Sequence, residues 1–321
     1  MGTFVLRRLL QAVFTVFGVM LLTFVLFRVV AGDVSAMFVP RKANYQEQRE
    51  KWLQKHGLDK PALVNRKAPY QFWKGEFWDT QFFWHLRSSA LFEGRSYATE
   101  EKLQDIIAKR APYSLALTVP AMALGWMLGL VLAAVVAYYR DTWIDRTGVF
   151  LSVLGMCVPY LAYMILGQWI MFEFSPRMAW GLGRPTNIYV PILIAVIAGL
   201  GGEVRFYRTV ILDEIHRDYV RTAQAKGLPL PEVLFKHVLK NCMLPILTQL
   251  VLEIPFLIMG ALLLEQFFGI PGLGDLMLSS IATRDVPIIN GLTFLTAVVY
   301  VVGLLITDVL YAVFDPRIRL K

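Results

Sequence analysis

Cysteine, histidine and charge are all scarce in this chain of 321 residues. The two cysteines, Cys157 and Cys242, lie one inside an apolar run and one beside a basic loop, so no disulfide framework is expected and both read as inert thiols. The four histidines, His56, His85, His216 and His237, are scattered along the chain. There is no H-E-x-x-H and no cysteine pair at zinc spacing, so a metal centre or a Ser-His-Asp triad has no support. No G-x-x-x-x-G-K-[S/T] loop occurs, which excludes a nucleotide cradle of that type. No catalytic residue, metal ligand or cofactor site is expected in this chain. Charged residues make up 17 % of the sequence against 56 % hydrophobic, and the mean hydropathy is +0.53. A soluble protein of this length needs more polar surface, so the composition predicts a membrane protein.

What is present is long apolar runs. The first, Leu9–Phe27, follows Arg7 and Arg8. It is too long for the apolar core of a signal peptide, and no small-x-small cleavage pattern follows, so it reads as a first transmembrane helix. Five more spans are expected at about 111–139, 147–172, 188–208, 241–264 and 286–307. Each is long enough to cross about 30 Å of hydrocarbon at about 1.5 Å per residue. The sequence therefore predicts an all-α membrane protein of six transmembrane helices.

Six spans put both termini on one side. Arginine and lysine concentrate on the loops of that side, from Arg140 and Arg146 through Arg205–Lys240 to Arg317, Arg319 and Lys321. The short loops opposite hold only Arg177, Arg184 and Arg284. By the positive-inside rule both termini are cytoplasmic. The net charge of +8 reflects this orientation, and no nucleic-acid partner is expected. The segment after the first helix carries fourteen lysines and arginines, but loops beyond about 60 residues translocate largely regardless of charge. The expected organisation is a tip and first helix at 1–30, an extracytoplasmic loop at 31–110, a transmembrane domain at 111–311 and a cytoplasmic tail at 312–321. In the outer loop "YQEQREKWLQKHG" predicts a short helix ended by Gly57. Trp52, Trp73, Trp78 and Trp84 fit either an interfacial belt with a packed cap or a docking surface for an external partner.

Few charges fall inside the spans. Glu253 is the clear case, facing either a polar translocation cavity or a helix interface. Asp308 lies near the inner face, within reach of Arg317 or Arg319. Gly125 and Gly129 form G-x-x-x-G and predict close helix packing.

The stretch "DYVRTAQAKGLPLPEVLFKHVLKNCMLP", within a loop at 212–240, is long and basic. It predicts one helix over about 213–226, stopped by Gly227, then a bend at "LPLP" and a second helix from Pro231 to about Lys240. Leu234 with Val238, and Phe235 with Leu239, form an apolar stripe beside a basic row of Lys236 and Lys240. Such a stripe must be covered, either by membrane lipid or by a groove on a cytosolic protein.

This stretch resembles the coupling loop of ABC importer permeases, whose pattern is E-A-A-x-x-x-G followed downstream by Leu-Pro. Ala223, Gly227 and Leu244-Pro245 match, while Arg221 and Thr222 stand where the family has Glu and Ala. The departures are those of the dipeptide, oligopeptide and nickel branch, which "YRDTWIDR", "FFGIPGLGDLM", "RDVPIINGLTF" and "GLLITDVLYAVFDPRIR" also resemble. "AGDV" departs from the branch's usual Pro-Gly-Asp-Pro.

The resemblance implies the type-1 ABC importer permease fold in a bacterial or archaeal cytoplasmic membrane. It implies a second homologous permease chain, two ATP-binding cassette subunits that carry ATP and magnesium, and an extracytoplasmic substrate-binding protein. It places coupling to the ATPase on Ala223 and Gly227 as close packing at the turn, on Leu234, Phe235 and Leu239 as buried anchors, and on Lys236 and Lys240 as a charged rim. Peptide is the implied cargo, with nickel or another metal chelate and oligosaccharide as alternatives. An ATP-independent channel or carrier, or a non-transporting scaffold, are the competing classes.

Overall fold

The computed structural model describes residues 2–30, 34–40, 44–63, 65, 78–174, 188–259 and 262–314. Every regular element among them is helical: α1 (Gly2–Phe24), continued by a π-helical turn to Val30, α2 (Ser35–Phe38), α3 (Tyr45–Lys55), α4 (Gln81–Ala90), α5 (Leu103–Tyr138), α6 (Trp143–Cys157), α7 (Tyr160–Phe174) and α8 (Tyr189–Ile215). Then come α9 (Asp218–Ala225), α10 (Leu230–Val233), a π-helical turn at Leu234–Val238, α11 (Leu239–Met259), α12 (Leu262–Phe268), α13 (Leu273–Thr283) and α14 (Val286–Phe314). Four stretches are long and apolar enough to cross a membrane: Leu6–Phe27, Leu103–Tyr138, Tyr189–Ile215 and Val286–Asp308. Helices α6 and α7 form a fifth span if taken together, although they bend by 97° where they meet. The chain is thus an all-α multi-pass membrane protein with four to five long apolar helices. The span expected at 241–264 crosses residues 260 and 261, which lie outside the described residues.

The bend interrupts the span expected at 147–172, and its cause is local. Pro159 drives the residue before it out of the helical region, and Val158 is extended (φ −81°, ψ 122°). Helix α5 starts eight residues before the expected span and tolerates Pro112 and Pro120 in its interior. Helix α8 runs seven residues past the expected boundary, so 213–215 belong to it and the first loop helix starts at Asp218.

The chain divides into two compact units. The first comprises residues 1–111 and 276–301. Its interior is aromatic: Phe38 stacks on Trp52 with ring centroids 5.8 Å apart, and Tyr97 packs edge-on to both. Helix α3 ends as expected at Gly57 (φ +66°), where an added Cβ would sit 3.2 Å from the Trp84 ring. Trp78 is exposed, and Trp73 lies outside the described residues. The start of α14 is tied to residues 96–98 through Asp285, which is 1 % exposed. Its carboxylate accepts hydrogen bonds from Ser96 Oγ (2.5 Å), the Tyr97 amide (3.0 Å) and the Ala98 amide (3.3 Å).

The second unit comprises residues 112–275 and 302–321. Here α6 lies against α8 at close backbone approach: a Cβ on Gly201 would come within 2.6 Å of the Ser152 carbonyl oxygen. One core cluster gathers Ala133 and Ala137 of α5, Tyr207 and Ile211 of α8, and Cys242 and Ile246 of α11. A second joins Leu117, Met164, Ile194, Leu264 and Phe268.

Candidate functional site

The basic loop is built on the first of these clusters. Asp218 opens α9, where a negative charge is favourable at the helix N-terminus. The helix stops at Gly227 (φ +83°), with the Gly227 amide donating to Gln224 O (2.9 Å) and the Leu228 amide to Ala223 O (3.4 Å). This crossed pair of bonds is the left-handed cap anticipated from the glycine. A Cβ on Gly227 would meet nothing within 4 Å. Within this chain the glycine is therefore required by backbone conformation. Ala223 does pack tightly, 8 % exposed beside Val220.

The Leu234–Val238 row of the apolar stripe is covered by its own chain. Val233, Leu234 and Val238 are 0–2 % exposed and sit in the cluster with α5, α8 and α11. Leu239 packs half-buried against the same cluster. The second loop helix does not stand alone: α10 passes through the π-helical turn, closed by the Leu239 amide on Leu234 O, directly into α11. Within this chain Leu234 packs into the cluster formed with α5, α8 and α11. The Phe235 side chain lies outside the described residues. Exposed on α9 and just after it are Arg221, Thr222, Gln224, Ala225 and Lys226, with Lys236 and Lys240 beyond. Lys236 lies 3.5 Å from Glu232 and Arg221 lies 3.9 Å from Asp218, both solvent-exposed pairs that hold little energy.

Glu253 is half-buried on α11 and accepts a hydrogen bond from Gln249 Nε2 at 3.3 Å, one turn earlier. Sequence reasoning missed its neighbour. Glu203 lies on α8, which packs against α11 in the first core cluster. Its Oε2 is buried with no hydrogen-bond partner among the described residues. The niche around it is made of glycines: a Cβ on Gly129 would stand 2.5 Å from Oε2, and one on Gly125 3.0 Å from Oε1. The G-x-x-x-G of α5 therefore makes room for a carboxylate. The signal was available in Gly125, Gly129 and Gly199, but which side chain fills such a gap is a tertiary fact.

Another carboxylate in the same unit is fully satisfied. Glu265, at 0 % exposure, accepts from Ser114 Oγ (2.7 Å) and the Asp275 amide (3.0 Å), and the Ser114 hydroxyl oxygen accepts from the Leu273 amide (2.7 Å). Gly272 is a glycine because a Cβ there would overlap the Glu265 carboxylate. This explains "FFGIPGLGDLM" as a turn folded around a buried acid. The expected pairing of Asp308 concerns Arg317 and Arg319, which lie outside the described residues. Among the described residues no cluster of three His, Cys, Asp or Glu could hold a metal ion.

Comparison with known proteins adds to this geometry. Residues 125–320 match the family model "Binding-protein-dependent transport system inner membrane component", and residues 1–118 match that of its N-terminal region. The chain is 31 % identical to the oligopeptide transport system permease protein AppB of Bacillus subtilis, over 99 % of this chain and 100 % of that protein. It is 32 % identical to the glutathione transport system permease protein GsiC of Pectobacterium atrosepticum, over the full length of both. A putative peptide transport system permease protein of Brucella abortus is 29 % identical over 99 % of each chain.

Proposed function

Because this chain belongs to the family of binding-protein-dependent transport system inner membrane components, we propose that it forms part of the pathway by which an ATP-driven importer moves peptides inward. Its standing as a membrane permease of an ABC importer, and not as an enzyme, follows from the family; the cargo is the further step. The observation that carries it is similarity over the whole chain, including the outer segment, to permeases named for oligopeptide and glutathione transport.

In this reading six spans cross a bacterial or archaeal cytoplasmic membrane, with α11 and α12 together supplying the sixth and both termini inside. A second permease chain completes the pathway, two separate subunits hydrolyse ATP, and an external binding protein delivers the peptide. Closure of the two ATPases pushes on α9. Lys236 and Lys240, with Arg221 and Lys226, form the charged rim that meets the ATPase, and Phe235 supplies an apolar contact. Ala223 and Gly227 fix the turn, while Leu234 and Leu239 root it in the permease. The long-range result is alternation between inward and outward access of a pathway near Glu253 and Glu203, half-buried acids of α11 and α8.

The test is purification of the tagged chain from native membranes in mild detergent, followed by mass spectrometry and an uptake assay with labelled di-, tri- and pentapeptides. A second permease and ATPases carrying phosphate-loop motifs should co-purify, and uptake should require ATP. Recovery of the chain alone, in conditions that hold other membrane complexes together, would support a self-contained channel or carrier instead. Uptake of a nickel chelate or an oligosaccharide with no peptide uptake would replace the cargo and keep the machine.

A further inference from the structure

The α5–α6 turn is clamped to α8 at two points along the stretch that leads into α9. The first point is an ion pair. Arg208 Nε donates to Asp145 Oδ1 at 2.7 Å and its terminal nitrogen donates to Oδ2 at 2.9 Å, a bidentate arrangement that fixes both distance and angle. Asp145, in the first turn of α6, is buried, and the Arg208 side chain is only 21 % exposed. Asp145 also closes its own turn: the Asp141 amide donates to Oδ2 at 3.1 Å, and Asp141 takes the left-handed conformation (φ +65°) that this tight reversal needs.

The second point lies at the joint between α8 and α9. Arg140 donates to His216 Nε2 at 2.7 Å, while His216 Nδ1 is 2.6 Å from the Leu212 carbonyl. A carbonyl only accepts, so Nδ1 carries the proton and Nε2 offers its lone pair to the arginine. His216 is the residue at which α8 ends. The two clamp points are eight residues apart on α8, about 12 Å along its axis. On the N-terminal side of both along α8, Gly201 holds α6 and α8 at backbone contact.

This arrangement has a mechanical consequence. A displacement of α9 reaches α8 through a joint of two residues, His216 and Arg217. Because Asp145 and Arg208 are bidentate and sheltered from water, α6 and the α5–α6 turn cannot lag behind α8 without breaking a desolvated ion pair, which is costly to open by one partner alone. Helix α6 leads in turn to the 97° bend at Val158–Pro159.

We propose that the Asp145–Arg208 pair is a coupling strut: it makes α6 and α8 move as one body when the α9 loop is pushed, so that ATP hydrolysis is converted into movement of the spans. The two residues are positioning residues, and the inference rests on the importer reading above. The strut gives a role to two charges far apart in sequence, Asp145 of "YRDTWIDR" in the first turn of α6 and Arg208 of "EVRFYR" within α8.

The experiment compares Asp145→Asn, Arg208→Gln, Arg208→Lys and the exchanged pair Asp145→Arg/Arg208→Asp in the whole co-purified complex. The complex is reconstituted with its binding protein in liposomes, and both ATP hydrolysis and uptake of labelled di-, tri- and pentapeptides are read per assembled complex. The strut predicts that Asp145→Asn and Arg208→Gln retain hydrolysis while uptake falls about tenfold, so that ATP consumed per peptide rises. Arg208→Lys, which keeps the charge and loses the second bond, should fall between. The exchanged pair should recover part of the uptake. A merely structural role gives a different signature, with hydrolysis and uptake per complex both unchanged while only the yield of complex drops, or both falling in proportion; either result overturns the strut. If the unmutated complex imports neither peptide nor nickel chelate nor oligosaccharide at the expense of ATP, the importer reading falls and takes the strut with it; if it imports one of the latter two, the same variants are read with that cargo.

Discussion

Asp285 in the first unit and Glu203 in the second are both acids that burial reaches, and they are treated in opposite ways. Asp285 has three donors gathered round it and holds the start of α14 to residues 96–98. Glu203 has a niche of glycines and a buried oxygen with no partner among the described residues. A carboxylate surrounded by donors is a structural fastener, because removing it strands every group that pointed at it. A carboxylate given room without partners, in a helix that crosses the membrane, is instead a group kept for something outside its own chain or for another state of it. The same chain thus holds one buried acid surrounded by donors, in the first unit, and one with an unpartnered oxygen on a long apolar helix, in the second.

The sharpest way to break this contrast is Asp285→Ala. Two amides and a hydroxyl would lose their acceptor at once, so a loss of roughly 3 kcal/mol is expected. It should appear as a lower thermal unfolding midpoint in detergent and reduced yield of folded chain. Glu203→Ala should cost far less stability while still reducing uptake; equal destabilisation by the two would erase the distinction.

Gly227→Val comes next. Open space surrounds the position, so only the left-handed backbone resists a side chain, at roughly 1–2 kcal/mol. Membrane insertion should survive and uptake should be lost, since the turn that orients α9 would reopen. Normal uptake by the assembled complex would remove the loop from the coupling role.

Gly129→Ala tests the niche itself. The new methyl group would overlap the Glu203 side chain, and a destabilisation of about 1–2 kcal/mol is expected by overpacking. Gly129→Ala combined with Glu203→Ala should recover most of it, a non-additivity read from the two single variants and the double. Simple addition would mean that the glycine serves helix contact alone.

The smallest effect is expected at the surface of the first unit. Lys55 hydrogen-bonds Glu100 and holds its carboxyl below the ordinary range. A depressed acid stabilises above its unfolded pKa, near 4.3, and loses that contribution as the pH falls through its folded value. Lys55→Ala should therefore lower the unfolding midpoint at pH 7 and leave it unchanged near pH 2. The side chain of Glu100 is 42 % exposed, so water screens the pair and the difference should stay below about 0.5 kcal/mol.

The sequence by itself determined what depends on neighbours along the chain. Apolar length marks a membrane span because the bilayer must be crossed by backbone that satisfies its own hydrogen bonds. Gly57 and Gly227 announce helix ends because only the residue's own conformation is at stake. Pro159 had the same local force and could have warned of the break in the 147–172 span. Tertiary structure alone decided which faces and charges are used. The stripe at Leu234 and Val238 looked available to a partner until α5, α8 and α11 closed over it. Asp145 and Arg208 are 63 residues apart, and Ser96 and Asp285 are 189 apart. Burial and charge pairing are properties of what the fold brings near, and hydropathy, summed along one segment at a time, carries no information about that.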